Sequence, residues 1–533
     1  MKNQNQWNRL REDYLSWVSK TKLRNFFSKN LLIDGFSIWW ITSTCNRNNV
    51  LNNRWYFNLK KTYIEKKIKK ISLFYVIKFY ILFFINLLKN FVKDIFFAIL
   101  IKIFFYKKIK KDKIVNCFYS IHFNFLDKTK DYKFYDRCYG LSPLLDRKKN
   151  LNIYLITISK FTEFFRSLFT YKKKFQNAGL KYYVSNAYCS IGEICRIYLI
   201  IFFHFIKLLI FLKNNNPFVI KKIDCSSVLK YHLLKSFSGE IQSYLIDSSS
   251  LYSFLKENNV KKFITYGEFN PGFRSIYHKV KMLKKRPKII AVQHGYSNKN
   301  ILFHNYKNNE FTKKKKLEGK LYSPTPDYYF VQGKHYYNLL SKYFPNKIKI
   351  VGSLKYDIFN FQTINFRKAK KKIKKILVCP SIGDESYLIN FIENFKLKGF
   401  KFLVSPHPTV YNETLSIFKN KVSHLVEFDT SGKKTHELIK QSDLILAGFS
   451  VTAIEAVIMG KPAVRLISND NPIFFDPNDG LISFNSKEKI NFSEKKIYNY
   501  YNNKKINEIK KNLFFKLDNS SHKRLWKCLS EIR

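Results

Sequence analysis

Along residues 261–357, short apolar runs alternate with stretches of helical spacing. Lys262–Tyr266 is an apolar run that ends at Gly267-Glu268, and Arg274–Lys285 mixes polar and apolar positions at helical intervals. Lys288–Val292 is a second run, ending at Gln293-His294-Gly295. Thr325-Pro326-Asp327 opens a third, Tyr328–Gln332, and Lys347–Val351 is a fourth, ending at Gly352-Ser353. Short strands alternating with helices predict a parallel sheet with helices on both faces. Ligands collect beyond the carboxyl ends of such strands, and Glu268 and His294 both fall at that edge. A carboxylate and an imidazole converging on one cleft are the raw material of acid–base chemistry.

The alternation stops at Arg367–Lys375, a basic linker without apolar periodicity, and restarts at Ile376. Strands are predicted at Ile376–Cys379, Phe402–Ser405, Leu444–Leu446 and Ala463–Leu466. Helices are predicted at Glu385–Phe395, Val410–Phe418, Glu437–Gln441 and Val451–Met459. This is a second, smaller α/β unit. The predicted division is a Rossmann-like domain over 1–366, the linker 367–375, a second Rossmann-like domain over 376–485, and a helical tail, 486–533, of the kind that crosses back to the first domain. Near the start, Leu31–Trp40 reads as the first strand and turn of the first domain, broken at Asp34-Gly35, with Trp39 and Trp40 as core residues. Leu151–Ser159 reads as a further strand.

Residues 71–106 are the most hydrophobic stretch, yet the longest uncharged run in them, Phe79–Leu88, is bounded by Lys78 and Lys89. A membrane span needs ~20 nearly uncharged residues. A helix lying on a bilayer, or one buried in the protein, fits better. Residues 197–212 form a second such stretch, interrupted by His204 and Lys207.

Composition changes the picture in two ways. Apolar residues make up 46% of the chain, enough for a sizeable core. Lys and Arg number 96 against 38 Asp and Glu, a formal charge of +58. Lys, Asn, Ile, Phe and Tyr all have A/T-rich codons, so part of this charge reflects genome composition. What remains is a surface drawn to anionic lipid; a nucleic-acid binder would rest on charge alone. The eight cysteines are scattered with no CxxC pair, which argues against zinc, redox and disulfide frameworks. The N-terminus lacks the apolar stretch of a signal peptide, so a cytoplasmic protein is expected, peripheral at the inner face of the cytoplasmic membrane.

Two segments of the second domain carry candidate chemistry. Ser405-Pro406-His407-Pro408-Thr409 follows a strand directly, and its prolines hold His407 at the sheet edge within reach of a phosphate oxygen. Strand, turn, helix and glycine stop then follow through Ala447-Gly448-Phe449-Ser450-Val451-Thr452 to Gly460. Ser450 stands where an N-cap belongs. A helix start at a sheet's carboxyl edge offers free N–H groups to an anion, with Ser450 and Thr452 adding hydroxyls. Glu455, one turn on, is placed to accept from ribose hydroxyls. No isolated DxD, P-loop or GxGxxG occurs, so a metal-clamped nucleotide loses support, and neither metal nor cofactor is expected.

This arrangement resembles bacterial GT-B glycosyltransferases of surface polysaccharide synthesis. His407-Pro408, with Ser450 and Thr452, is similar to the HP and S/T motifs of sialyltransferases and polysialyltransferases, and the CDP-glycerol glycerophosphotransferases share a comparable scheme. The central block looks closer to surface-carbohydrate biosynthesis proteins through Tyr266-Gly267-Glu268, Gln293-His294-Gly295, Pro326-Asp327 to Gly333, and Gly352-Ser353-Leu354-Lys355-Tyr356. The acidic pair plus glycine of sialyltransferases is absent as such, because Gly267 precedes Glu268.

The resemblance implies a GT-B-like α/β fold, two Rossmann-type domains facing across a cleft. It implies transfer of a sugar or polyol phosphate from a CMP- or CDP-activated donor to a glycan or lipid-linked acceptor. His407, Pro408, Ser450, Thr452 and Glu455 would hold the donor. Glu268 would be the base, with His294 as second candidate, and Gln293, Gly295, Ser353 and Lys355 would contact substrate. Other readings are an enzyme like UDP-GlcNAc 2-epimerase, which shares the fold and needs no acceptor, and a non-catalytic assembly subunit.

Overall fold

The computed structural model of the protein describes residues 2–46, 59, 62–63, 73–107, 115–120, 126–127, 135–136, 138–141, 152–158, 160–266, 270–293, 295–296, 306–312, 315–344, 347–357, 373–381, 384–394, 400–406, 411–431, 434–467, 479–485 and 494–532.

Two wholly parallel sheets organise the chain. The first comprises β1 (Asn116–Ser120), β2 (Asn152–Ile156), β3 (Lys181–Val184), β4 (Lys262–Tyr266), β5 (Lys288–Val292), β6 (Tyr328–Val331) and β7 (Ile348–Ile350). Their spatial order is β7-β6-β5-β4-β1-β2-β3. The second comprises β8 (Lys375–Cys379), β9 (Lys401–Val404), β10 (Val426–Phe428), β11 (Leu444–Ala447), β12 (Ala463–Ile467) and β13 (Ile482–Asn485), in the order β10-β9-β8-β11-β12-β13. Each chain path starts mid-sheet, builds outward three strands, then returns to the middle and builds the other way. That is the doubly wound order, and it leaves a crevice at the switch point where the path reverses. The switch points fall between β1 and β4 and between β8 and β11. Strands β1, β2 and β11 are buried at every position, as expected of a parallel sheet covered on both faces. The two Rossmann-type units give the GT-B-like arrangement.

The segment Leu31–Trp40 departs from its expected role. Leu32–Ile33 and Phe36–Ser37 form a two-stranded antiparallel hairpin outside both large sheets. The reason is the turn itself. Asp34 and Gly35 both have positive φ, 49° and 76°, and a two-residue turn of that kind reverses the chain into a hairpin. Ile38–Ile41 then coils into a 3-10 helix that buries Trp39 and Trp40. These residues belong to a separate helical core that the first 30 residues share with helices Ile191–Asn214 and Ser226–Lys235.

The tail serves both domains. Helix Asn503–Phe514 puts Ile506, Ile509 and Leu513 into the second domain's core. Helix Ser521–Glu531 puts Leu525 and Leu529 into the core of the first sheet. Asp357 fastens that return: it accepts hydrogen bonds from Ser521 N at 3.0 Å and His522 N at 2.6 Å, and pairs with His522 Nδ1 at 2.8 Å.

Candidate functional site

The second domain's crevice is built from the ends of β8 and β11. Asp384 spans it. Its carboxylate accepts from Ser381 N, just past β8, at 2.7 Å and from Phe449 N, just past β11, at 2.8 Å. Gly448 is obligatory here, because a Cβ at that position would stand 2.5 Å from Asp384 Oδ2. Behind the turn, the guanidinium of Arg465 donates to Gly448 O and pairs with Asp479 at 3.0 Å, both side chains being buried. Burial pushes the Asp384 carboxyl up to about 8, against the lowering effect of its two backbone donors and Arg465. Sequence reasoning missed Asp384, although an acidic residue directly before helix Glu385–Asn394 is a recognisable helix-start signal.

On this frame sit two of the expected donor contacts. Ser450 Oγ donates to Thr452 Oγ1 at 2.8 Å and accepts from Thr452 N at 3.2 Å. Cys379, at the end of β8, is buried beside Thr452, and burial pushes its thiol's pKa up. The helix that follows is short, Thr452–Ile458, and its cap position is Val451 rather than Ser450. An anion here would therefore be held by hydroxyls and turn backbone, with little help from a helix dipole. His407 and Pro408 lie outside the described residues; the preceding Ser405 N donates to Val378 O at 2.9 Å, which sets the start of that motif beside β8.

Glu455 and Lys355, expected in separate roles, are brought together. Lys355 Nζ and the hydroxyl of Tyr356 both reach Glu455 Oε1, at 2.5 and 2.7 Å. Ser353, which precedes them, is fully buried, and its hydroxyl has no hydrogen-bond partner among the described residues.

In the first domain, β4 ends at Tyr266 on the switch point, while Glu268 and His294 lie outside the described residues. Gln293 is engaged within the chain. Its Oε1 accepts from Gln332 N at 2.8 Å and its Nε2 donates to Gly295 O at 2.7 Å, locking the ends of β5 and β6 together. Among the described residues, nothing lies within 4 Å of the Cβ position of Gly295. The next residue, Tyr296, packs against the cores of both domains. A cavity of about 750 Å³ lies at the opposite, amino edge of the first sheet, beside Arg286, Asp327 and Lys347, and is remote from both crevices. Among the described residues, no cluster of three or more His, Cys, Asp or Glu side chains could hold a metal ion.

No family model matches the sequence, and no curated protein matches it. Solved structures that it resembles include a UDP-GlcNAc 2-epimerase from Neisseria meningitidis bound to UDP-GlcNAc, at 14% identity and a TM-score of 0.43, covering 79% of this chain and 100% of that one. A glycosyltransferase from Rickettsia africae shows 13% identity and a TM-score of 0.41, with coverage of 79% and 100%. The wall teichoic acid polymerase TagF shows 11% identity and a TM-score of 0.40, with coverage of 84% and 96%.

Proposed function

We propose that this protein is a glycosyltransferase of surface polysaccharide synthesis. It would move a sugar or polyol phosphate from a nucleotide-activated donor, CMP- or CDP-linked, to a glycan or lipid-linked acceptor. The observation that carries the reading is the β8/β11 crevice, with Ser450 and Thr452 at its mouth and the Ser405-Pro406 strand end beside it. Hydroxyl and backbone donors at a switch point suit a phosphate without requiring a metal. In this reading His407 adds an imidazole donor to the phosphate. Glu268 takes the proton from the acceptor hydroxyl as that oxygen attacks the donor, and the nucleotide leaves with the phosphate charge. His294 is the alternative base. Glu455, whose Oε1 is held by Lys355 and Tyr356, would accept from the ribose hydroxyls.

The test is thermal stabilisation by CMP, CDP, UDP, GDP and ADP without metal, for the wild type and for His407→Ala. A ligand that binds only the folded chain raises its melting point with concentration. A cytidine-selective shift that is lost in His407→Ala supports the reading. A shift with UDP or GDP alone overturns the choice of donor, and no shift with any nucleotide overturns the transferase.

A further inference from the structure

No other described element leaves so many large apolar side chains exposed as helix Leu73–Phe105. Ile77, Ile81, Leu88, Val92, Phe96 and Ile103 recur at steps of four and seven residues, so they form one stripe, each between 50% and 70% exposed. Lys78, Lys89 and Lys93 border the stripe on one side and Lys102 on the other, all exposed. Monomeric soluble proteins rarely leave a contiguous apolar face of this extent uncovered.

The surface continues onto neighbouring elements. Helix Ile191–Asn214 packs on the first helix through Phe83 and Phe205, stacked at 4.2 Å, and through Phe91 and Tyr198 at 5.0 Å. It exposes Leu199, Phe203, Ile206 and Ile210 at helical spacing, with Lys207 beside them. Phe161 packs on Phe97 at 4.6 Å; Phe165 on the same helix, and Phe169 in the π-helical turn that continues it, stand 56% and 73% exposed.

What covers this face is decided by length, anchoring and charge. The 33-residue helix is about 50 Å long, against a bilayer hydrocarbon core of about 30 Å. Its inner edge is committed to protein: Phe83 and Ala98 sit in the helical core, and Phe97, Ile101 and Phe105 in the core of the first sheet. Spanning would strip both cores. Helix Ile191–Asn214 is long and apolar enough to cross a membrane, but Ile194, Ile197, Ile201, Phe205 and Leu208 are buried, and His204 Nε2 is bonded to Leu32 O at 2.9 Å. The bordering cations match anionic headgroups, at whose level lysines reach out from an immersed apolar stripe.

We propose that this face docks in the plane of an anionic lipid bilayer. The helix Leu73–Phe105 lies parallel to the surface, its stripe in the upper acyl region and its lysines at the phosphates. The inference is independent of the transferase reading and holds for any activity of the crevices.

Flotation with vesicles of phosphatidylcholine, with and without phosphatidylglycerol, tests it. Wild type is expected to float with the anionic vesicles, less so at high salt. Leu88→Glu with Val92→Glu alters only exposed positions and should weaken binding roughly tenfold or more at an unchanged melting point. Should that variant fail to fold, Lys78→Glu with Lys89→Glu is the second probe and should abolish the preference for anionic vesicles. Wild type that binds neither vesicle, or variants that bind as wild type does, would overturn the proposal. So would a wild-type dimer that dissociates in Leu88→Glu, which would make the face an interface between copies. Resistance to extraction by alkaline carbonate would overturn the in-plane orientation.

Discussion

Lys355 and Tyr356 grip a single oxygen of Glu455, at 2.5 and 2.7 Å, so the segment leaving the first sheet is fastened to the helix beside the second domain's crevice. Tyr356 is buried in the second domain, against Phe514, whereas Leu354, two residues earlier, belongs to the first domain's core. Replacing Glu455 with Leu leaves a buried phenol without this acceptor, at a cost of about 1–3 kcal/mol. Lys355→Met removes a half-exposed ammonium and should cost under about 1 kcal/mol. Urea unfolding of the two variants checks the order; equal costs would contradict it.

The Ser450–Thr452 pair should matter for binding more than for folding. Thr452→Val keeps the shape and removes the hydroxyl, and Ser450→Ala removes its partner. A lost hydrogen bond to a charged phosphate is worth about 1.5–3 kcal/mol, so each variant should weaken nucleotide binding roughly 10- to 100-fold. Calorimetric titration would show this, with melting points close to wild type. Unchanged affinity in both would remove the phosphate from this turn.

Asp384 predicts a pH dependence. Burial raises its folded value to about 8, whereas an unfolded aspartate ionises near ~4. Between those values the folded chain holds a proton that the unfolded chain has released. The group's contribution to stability therefore declines as pH rises across that window and levels off above about 8. Asp384→Asn should flatten the slope of stability against pH over the same range, while losing one backbone acceptor. An identical slope in the variant would assign the dependence elsewhere.

Gly333 opens the helix after β6, directly beneath the tail. A Cβ there would lie 2.5 Å from Asn512 O and 2.6 Å from the carbonyl of Leu513. Gly333→Ala must push helix Asn503–Phe514 away, and faster hydrogen exchange over residues 503–514 is the expected result. Asp357→Ala acts on the next helix instead, by removing three hydrogen bonds at its first turn. Protease cleavage between 515 and 520 should then accelerate. Wild-type cleavage rates would show that Leu525 and Leu529 hold the helix without Asp357.

The strands that were legible in the sequence are those with uninterrupted apolar runs between turn residues. Lys262–Tyr266 and Lys288–Val292 match the structure residue for residue. Asn116–Ser120 and Lys181–Val184 were not legible, because polar ends and tyrosines give neither alternation nor an apolar run; the neighbours of the first bury it throughout, whereas the second, at the sheet edge, buries only Val184. The hairpin at Leu32–Ser37 was misread because a strand, a turn and buried tryptophans fit a sheet strand as well as a hairpin. At the site, the succession of strand, turn and helix that carries Ser450 and Thr452 was legible, although the cap falls on Val451. The bonds of Asp384 to Phe449 and of Lys355 to Glu455 join residues 65 and 100 positions apart, which no local pattern encodes.

The returning tail has a mechanical consequence. The chain crosses between domains at Leu354–Tyr356 and again between Phe514 and Ser521, and the second crossing is bonded to Asp357, beside the first. Two bodies joined by one thread can swivel freely; joined by two threads pinned side by side, they turn like a door on paired hinge pins. Any turn of one domain against the other must carry both crossings with it, together with the bond of Lys355 to Glu455 beside them.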